Sequence, residues 1–314
     1  MSLSFKEHNP VLLQEVIENM NLQSKKQIFV DGTLGLGGYT KMLLENTNND
    51  TKVIAFELDQ DNLKFAKKRL AEFRDRIIFV HSNFDTLEEN LEKLGFQEID
   101  GIMLDLGLSS PQVDDAEKGF SFLREGQLDM RFDQRVNLTA SKVVNTYSEE
   151  KLKQIFKDFG EEPQSGKIAA KIVERRRAEP FLTTSDLADF VARVKHSKFS
   201  KKKAHPATLV FQAIRIEVNH ELDALLKVLN QAVNCLKAGG RIVVVSYHSL
   251  EDRIVKTFFK DQSREYINLP DELTTTKLNP KIKIITKKPI TPSEKEIEIN
   301  PRSRSAKLRV AEKI

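Results

Sequence analysis

A short apolar run, Gln27 to Val30, ends in Asp31-Gly32-Thr33-Leu34-Gly35-Leu36-Gly37-Gly38, and this junction constrains the fold more than any other feature of the sequence. Glycines let the backbone take conformations closed to other residues and come close to a ligand. Tyr39 to Glu45 reads as a helix and Lys52 to Phe56 as a second strand. Glu57 closes that strand, 20 positions after Gly37. A glycine-rich strand-to-helix turn, with an acid at the end of the next strand, is the pattern of a nucleotide-cofactor site in which the acid accepts ribose hydroxyls. An ordinary tight turn would account for the glycines but not for the acid at this spacing. The alternation continues. Asn62 to Phe73 carries Leu63, Ala66, Leu70 and Phe73 at helical spacing. Arg76 to His81 is a third strand, Thr86 to Leu94 a helix, and Ile99 to Leu104 a fourth strand ending in Asp105. Repeated strand–helix units predict an α/β, Rossmann-like fold, with a mostly parallel sheet and helices on both faces.

From about residue 110 to about 210 no convincing strand is found. Ala140 to Tyr147, Glu149 to Phe159, Gly166 to Ala178 and Ser185 to Val194 read as helices, the last with Thr183, Thr184 or Ser185 as its N-cap. An all-helical block inside an α/β chain is expected to be an inserted domain, 110–210, interrupting a cofactor-binding domain made of 1–109 and 211–314. The alternation resumes with helices over Thr208 to Val218 and Glu221 to Leu236, the second stopped by Ala238-Gly239-Gly240. A fifth strand spans Arg241 to Tyr247, and a helix begins at His248. The late strands Ile282 to Thr286 and Ala306 to Ala311 are expected to pair antiparallel at the sheet edge.

Composition narrows the class. No run approaches 18 apolar residues, and the N-terminus lacks a signal-peptide core, so no membrane partner is expected. The only cysteine, Cys235, excludes an intrachain disulfide, which fits a cytoplasmic location. The net charge of +4 is compatible with nucleic acid without demanding it. Basic residues cluster at Arg175-Arg176-Arg177, at Lys198 and Lys201-Lys202-Lys203, and from Lys281 to Lys313; each is either a solvated surface or a phosphate-binding patch. No His, Cys or Asp cluster has metal-ligand spacing, so no metal is expected.

The loop does not read G-x-G-x-x-G: from Gly35 the third glycine position is Thr40, and from Gly32 the second is Leu34. This disfavours a nicotinamide-dependent oxidoreductase, the first alternative. Asp31 would sit badly against a pyrophosphate and suits a ligand with positive charge, such as the amino and sulfonium groups of S-adenosylmethionine. Its other reading is a cap for the loop's own amides. Asp105 opens Asp105-Leu106-Gly107-Leu108-Ser109-Ser110-Pro111-Gln112 beyond the fourth strand, where ligands of parallel sheets lie. It could hold a polar acceptor atom near a methyl donor, or cap a helix.

The segment from Asp105 to Asp114 resembles the signature of the ribosomal RNA small subunit methyltransferase H (MraW) family. So do Gly119-Phe120-Ser121-Phe122, Leu128-Asp129-Met130-Arg131, the run from Phe211 to Asn219, Ser246-Tyr247-His248-Ser249-Leu250-Glu251-Asp252-Arg253, and the tail from Asn300 to Arg309. The opening His8 to Glu15 is similar as well. The resemblance implies a class I methyltransferase with an inserted helical substrate-recognition domain. It implies methylation of N4 of a cytidine in the decoding region of 16S rRNA, with the small ribosomal subunit as partner. Cofactor contacts then fall on Gly37, Gly38, Tyr39, Glu57, Phe84, Asp105 and Gln112, beside Asp31 and Gly35 of the loop. Phe84 would pack on the adenine ring or simply in the core.

The sequence departs from the family pattern at three places. Tyr39 stands where histidine is usual, Glu57 where aspartate is usual, and Leu209-Val210 where Arg-Thr is usual. For chemistry, Asp105 is the first choice as acceptor for the cytosine amino group, and Tyr247 or His248 could stack on the base. The alternative is that Tyr247 to Arg253 only caps the next helix. Arg131, Arg215, Arg253, Arg302 and Arg304 are expected on RNA phosphates. A non-catalytic RNA-binding assembly factor, and a DNA or protein amine methyltransferase, stay open beside this reading, as does a homodimer.

Overall fold

The computed structural model describes residues 10–196, 205–268 and 275–314. The lysines at 198 and 201–203 and the opening His8-Asn9 lie outside the described residues. In chain order, α1 (Leu13–Asn19) leads to β1 (Ile28–Asp31), α2 (Gly38–Glu45), β2 (Lys52–Phe56), α3 (Gln60–Arg69), β3 (Ile77–Val80), α4 (Leu87–Lys93) and β4 (Ile99–Asp105). The helices α5 (Ser110–Asp114), α6 (Ala140–Thr146), α7 (Glu149–Asp158), α8 (Ser165–Arg176), α9 (Thr184–Val194) and α10 (Thr208–Asn219) follow. Then come α11 (Glu221–Cys235), β5 (Leu236–Ser246), α12 (Ser249–Gln262), β6 (Tyr266–Asn268), β7 (Thr275–Lys277), β8 (Ile282–Ile284), α13 (Glu294–Ile299) and β9 (Lys307–Lys313). Among the described residues no helix is long and apolar enough to cross a membrane.

Seven strands form one sheet in the order β3-β2-β1-β4-β5-β9-β8. The pairs from β3 to β5 are parallel, and β9 runs antiparallel to both β5 and β8. The expected antiparallel edge is therefore present, with β6 and β7 forming a separate antiparallel ribbon. The inner strands are apolar on both faces because helices cover both. Val30, Ile54, Phe56, Ile102, Leu104 and Val244 pack with α11 and α12. Their neighbours Phe29, Val53, Ala55, Met103, Val243 and Val245 pack with α1, α2 and α3. Side chains alternate along a strand, so one run of residues feeds two cores.

The chain divides into two compact units, residues 1–107 with 222–314, and Leu108–Glu221. The second has its own core, with Phe156, Ile168, Ile172, Phe181, Leu187 and Val191 buried beside Val210, Ala213 and Ile214 of α10. Thr139, Ser148 and Thr183 cap α6, α7 and α9 by accepting from the amides of Lys142, Lys151 and Asp186. Such caps typically contribute about 1 kcal/mol each.

One expectation is corrected. Helix α11 is not stopped by Ala238-Gly239-Gly240; it ends at Cys235, and those residues lie within the next strand. Strand β5 starts at Leu236, directly after α11, and pairs Ile99 with Leu236 but Gly101 with Arg241. The extra residues form an irregularity inside the strand, where Gly239 takes φ +81°. Glycine marks bulges as well as helix ends, and the local sequence does not tell them apart.

Candidate cofactor site

Strand β1 has β2 on one side and β4 on the other, so the chain reverses direction across the sheet at β1. Ligands of open α/β sheets bind at such a reversal, beyond the carboxyl ends of the strands. Asp31 is in register with Ala55 of β2 and Met103 of β4. Glu57 and Asp105 stand two residues beyond those partners. Asp105 is in turn level with Val245 of β5, and Tyr247 stands two residues beyond Val245. Two-residue steps keep strand side chains on one face. The sheet thus presents a row of acids, closed by a tyrosine, at its carboxyl edge.

The hydrogen bonds join this row to the glycine loop. Asp31 is buried; one carboxylate oxygen accepts from the Thr33 amide at 3.1 Å and the other from the Thr40 hydroxyl at 2.6 Å. It does cap its own loop. The Thr33 hydroxyl accepts from the Asp105 amide at 2.6 Å, stitching the loop to the end of β4. Glu57, also buried, accepts from the Gly35 amide at 2.7 Å and from the Asp59 amide at 2.8 Å. A carboxylate offers about four acceptor positions, so two remain for ribose hydroxyls. Asp105 accepts from the Tyr247 hydroxyl at 2.7 Å. The Tyr39 hydroxyl donates to the Val11 carbonyl and also lies in hydrogen-bonding reach of Asp105.

Burial raises all three carboxyl groups above the ordinary range, Asp31 to about 6, Asp105 to about 7 and Glu57 to about 8. Negative neighbours push the same way: Asp31 acts on both Asp105 and Glu57, Glu251 on Asp105, and Asp59 on Glu57. Burial and the adjacent Asp105 hold the Tyr39 and Tyr247 hydroxyls well above the usual phenol range. Acids held together against desolvation and mutual repulsion suit a ligand that brings positive charge and hydroxyl donors. The sulfonium, ammonium and ribose of S-adenosylmethionine fit that demand.

Gly37 has φ +79° at the N-cap of α2, and a Cβ there would lie 2.7 Å from Leu70. A Cβ on Gly38 would lie 2.3 Å from Pro10, so both glycines are already required by packing. Tyr39 is buried in the second core. Phe84 is half-buried at the start of a 3-10 turn after β3, beside Gly32 of the loop. Gln112 belongs to the helical unit, is buried, and closes a capping box by accepting from the Ser109 amide at 2.9 Å.

His248 caps α12. Its Nδ1 accepts from the Glu251 amide at 3.4 Å, and its Nε2 lies 3.1 Å from the Glu251 carboxylate in ion-pair rather than hydrogen-bond geometry. The buried Glu251 accepts in return from the Tyr247 and His248 amides at 2.8 and 3.2 Å. Sequence reasoning missed Thr33, Thr40 and Glu251 as builders of the site. For Glu251 a signal existed, an acid three residues after a helix cap.

The arginines divide into two groups. Arg131 grips Asp129 with two bonds of 2.8 and 2.7 Å and donates to the carbonyls of Gln134 and Val136. Arg215 grips Glu221 with two bonds of 2.8 Å. Both are committed inside the helical unit. Arg175 is likewise committed to Asp186 and Arg176 to the carbonyls of Val144 and Tyr147. Arg253, Arg302 and Arg304 are exposed on the sheet unit.

The switch-point geometry and its acidic row define a Rossmann-like cofactor-binding protein, and comparison with known proteins gives it a family. The MraW methylase family matches residues 5–314. Ribosomal RNA small subunit methyltransferase H of Clostridioides difficile (strain 630) is 46% identical over 309 residues, spanning 98% of this chain and 99% of that one. The protein of the same name from Carboxydothermus hydrogenoformans is 48% identical over 308 residues, spanning 98% of each. A solved SAM-dependent O-methyltransferase from Thermotoga maritima is 9% identical with a TM-score of 0.43, covering 99% of this chain and 68% of that one. The chain belongs to the MraW methylase family. It is a methyltransferase, and S-adenosylmethionine is its cofactor.

Proposed function

We propose that this chain methylates ribosomal RNA of the small subunit in the cytoplasm, at N4 of a cytidine in the decoding region of the 16S molecule. The observation that carries the reading is Asp105, a carboxylate at the end of β4 in a family whose relatives bear the name of a small-subunit rRNA methyltransferase. We assign the cofactor to the sheet unit. Glu57 would accept the ribose hydroxyls, Asp31 and Asp105 would face positive charge, and Phe84 would lie against the adenine. The helical unit would serve substrate recognition.

When bound, S-adenosylmethionine supplies an electrophilic methyl carbon whose bond to sulfur breaks with the electron pair left on sulfur. The chain's own task is alignment, which can lower a barrier by about 7–11 kcal/mol. The cytosine amino nitrogen shares its lone pair with the ring. Asp105, by accepting one N–H, turns that lone pair out of conjugation and toward the methyl group. With its carboxyl near pH 7 it can also take the proton the methylated nitrogen sheds. The exposed Arg253, Arg302 and Arg304 suit phosphate contacts. The target base must leave its stack to be reached.

The test is transfer of tritiated methyl from the cofactor to unmodified small subunits, followed by mass mapping of the labelled nucleotide. N4-methylcytidine in the decoding region is expected. Label at another nucleotide would overturn the position, and no label at any assembly stage would favour a non-catalytic assembly factor.

A further inference from the structure

Tyr247 is separated from Asp105 by 142 residues, yet its hydroxyl donates to that carboxylate at 2.7 Å. Three contacts hold it there. Strand β5 brings it level with the end of β4, two residues past the Val245 that pairs with Asp105. Its ring lies over the turn after β4, where a Cβ on Gly107 would be 3.3 Å away. Its amide is fixed by the buried carboxylate of Glu251. The groups facing Asp105 are Asp31 from β1, Tyr39 from α2, Thr33 from the loop, Tyr247 from the turn after β5 and Glu251 from the first turn of α12. Asp31 and Glu251 repel its charge, while the Tyr39 hydroxyl is shared with the Val11 carbonyl. Tyr247 is therefore the donor most fully committed to this carboxylate.

We infer that Tyr247 is a positioning residue for methyl transfer, its hydroxyl holding Asp105 ionised and aimed at the substrate amino group. The inference rests on the reading of Asp105 as acceptor. A phenol donating to a buried carboxylate favours the charged form. Losing it strips Asp105 of its main defence against Asp31 and Glu251.

The experiment is the single-turnover rate of methyl transfer against pH, with small subunits, for the full chain and its Tyr247→Phe and Asp105→Asn variants. Phenylalanine keeps the ring over Gly107. Its acid limb is expected to move up by about one to two pH units, so that the rate lost at pH 7 returns above the new limb. Replacing Tyr247 by 3-fluorotyrosine, a stronger donor, should move the limb down. A limb at the wild-type position in both Tyr247 variants overturns the positioning role. A wild-type rate in Asp105→Asn instead overturns the acceptor reading beneath it.

Discussion

The helical unit and the candidate cofactor site of the sheet unit treat buried carboxylates in opposite ways. In the helical unit each is answered by a cation or donor of its own. Glu162, with a fully buried side chain, pairs with Lys195 at 2.7 Å, and Glu217 accepts from Tyr147 at 2.9 Å with Lys151 at 3.6 Å. Even in the sheet unit, Asp252 is gripped by Arg309 at 2.6 Å and Lys307 at 3.0 Å, which hold it below the ordinary range despite burial. Asp31, Glu57 and Asp105 are answered only by amides and hydroxyls, Asp31 repels the other two, and all three are raised. Paired charges hold a fold together, whereas charges left with neutral donors are arranged for something the chain does not contain.

The sharpest way to break this contrast is to neutralise one acid of each kind. Asp105→Asn should lower methyl transfer by about 10²–10⁴-fold, the range expected for a group that handles a proton, with cooperative unfolding intact. Glu162→Gln should do the reverse. It removes the charge that answers Lys195, leaving that ammonium the Pro206 carbonyl alone, at a cost of about 3 kcal/mol of stability in urea unfolding, and leaves cofactor affinity alone. If Asp105→Asn unfolds the protein while Glu162→Gln impairs cofactor binding, the distinction collapses. Glu57→Gln is the graded case. Losing a charge-assisted bond of about 1.5–3 kcal/mol to the ribose should weaken cofactor binding by about 10–100-fold in a calorimeter.

The contrast was only half legible in the sequence. The glycine loop, the acid 20 positions on and the acid after β4 are local signals, and register in a parallel sheet carried them to one edge. The links between them were not. Tyr247 meets Asp105, and Arg309 meets Asp252, only because β5 separates β4 from β9, a fact of topology that no local window contains. Nor does an arginine announce whether a carboxylate two or six residues away will claim it, as Asp129 claims Arg131 and Glu221 claims Arg215. The signature residues were found, but their partners were hidden by chain distance or by loop geometry.

The raised acids also set the sign of the pH dependence. A carboxyl near 4 in the unfolded chain and near 6, 7 or 8 in the folded one binds more protons when folded. Its stabilising contribution is complete below about pH 4 and is lost as pH rises to about 8. The cofactor-free protein should therefore melt at progressively lower temperature between pH 5 and pH 8. A positively charged cofactor should bind more tightly over the same range and displace protons. Calorimetry in buffers of different ionisation enthalpy reads that release directly, and a flat profile would mean the acids are already compensated.

The smallest effect distinguishes arginines that serve the fold from those exposed on the sheet unit. Each phosphate contact contributes about one counterion to the salt dependence of RNA binding. Arg304→Ala, at an exposed site on the sheet unit, should weaken RNA binding modestly and lower the slope of log affinity against log salt by about one. Arg131→Ala should leave that slope unchanged. Its guanidinium already satisfies Asp129 and two carbonyls, so its loss leaves the Asp129 carboxylate only the residue 131 amide and loosens the turn from 129 to 136. That variant should lose stability instead, by about 1–3 kcal/mol for the unmade bonds. An equal change of slope in both would mean that Arg131 exchanges Asp129 for a phosphate when RNA arrives. The paired charges of the helical unit would then be a resting state of the binding surface rather than part of its frame.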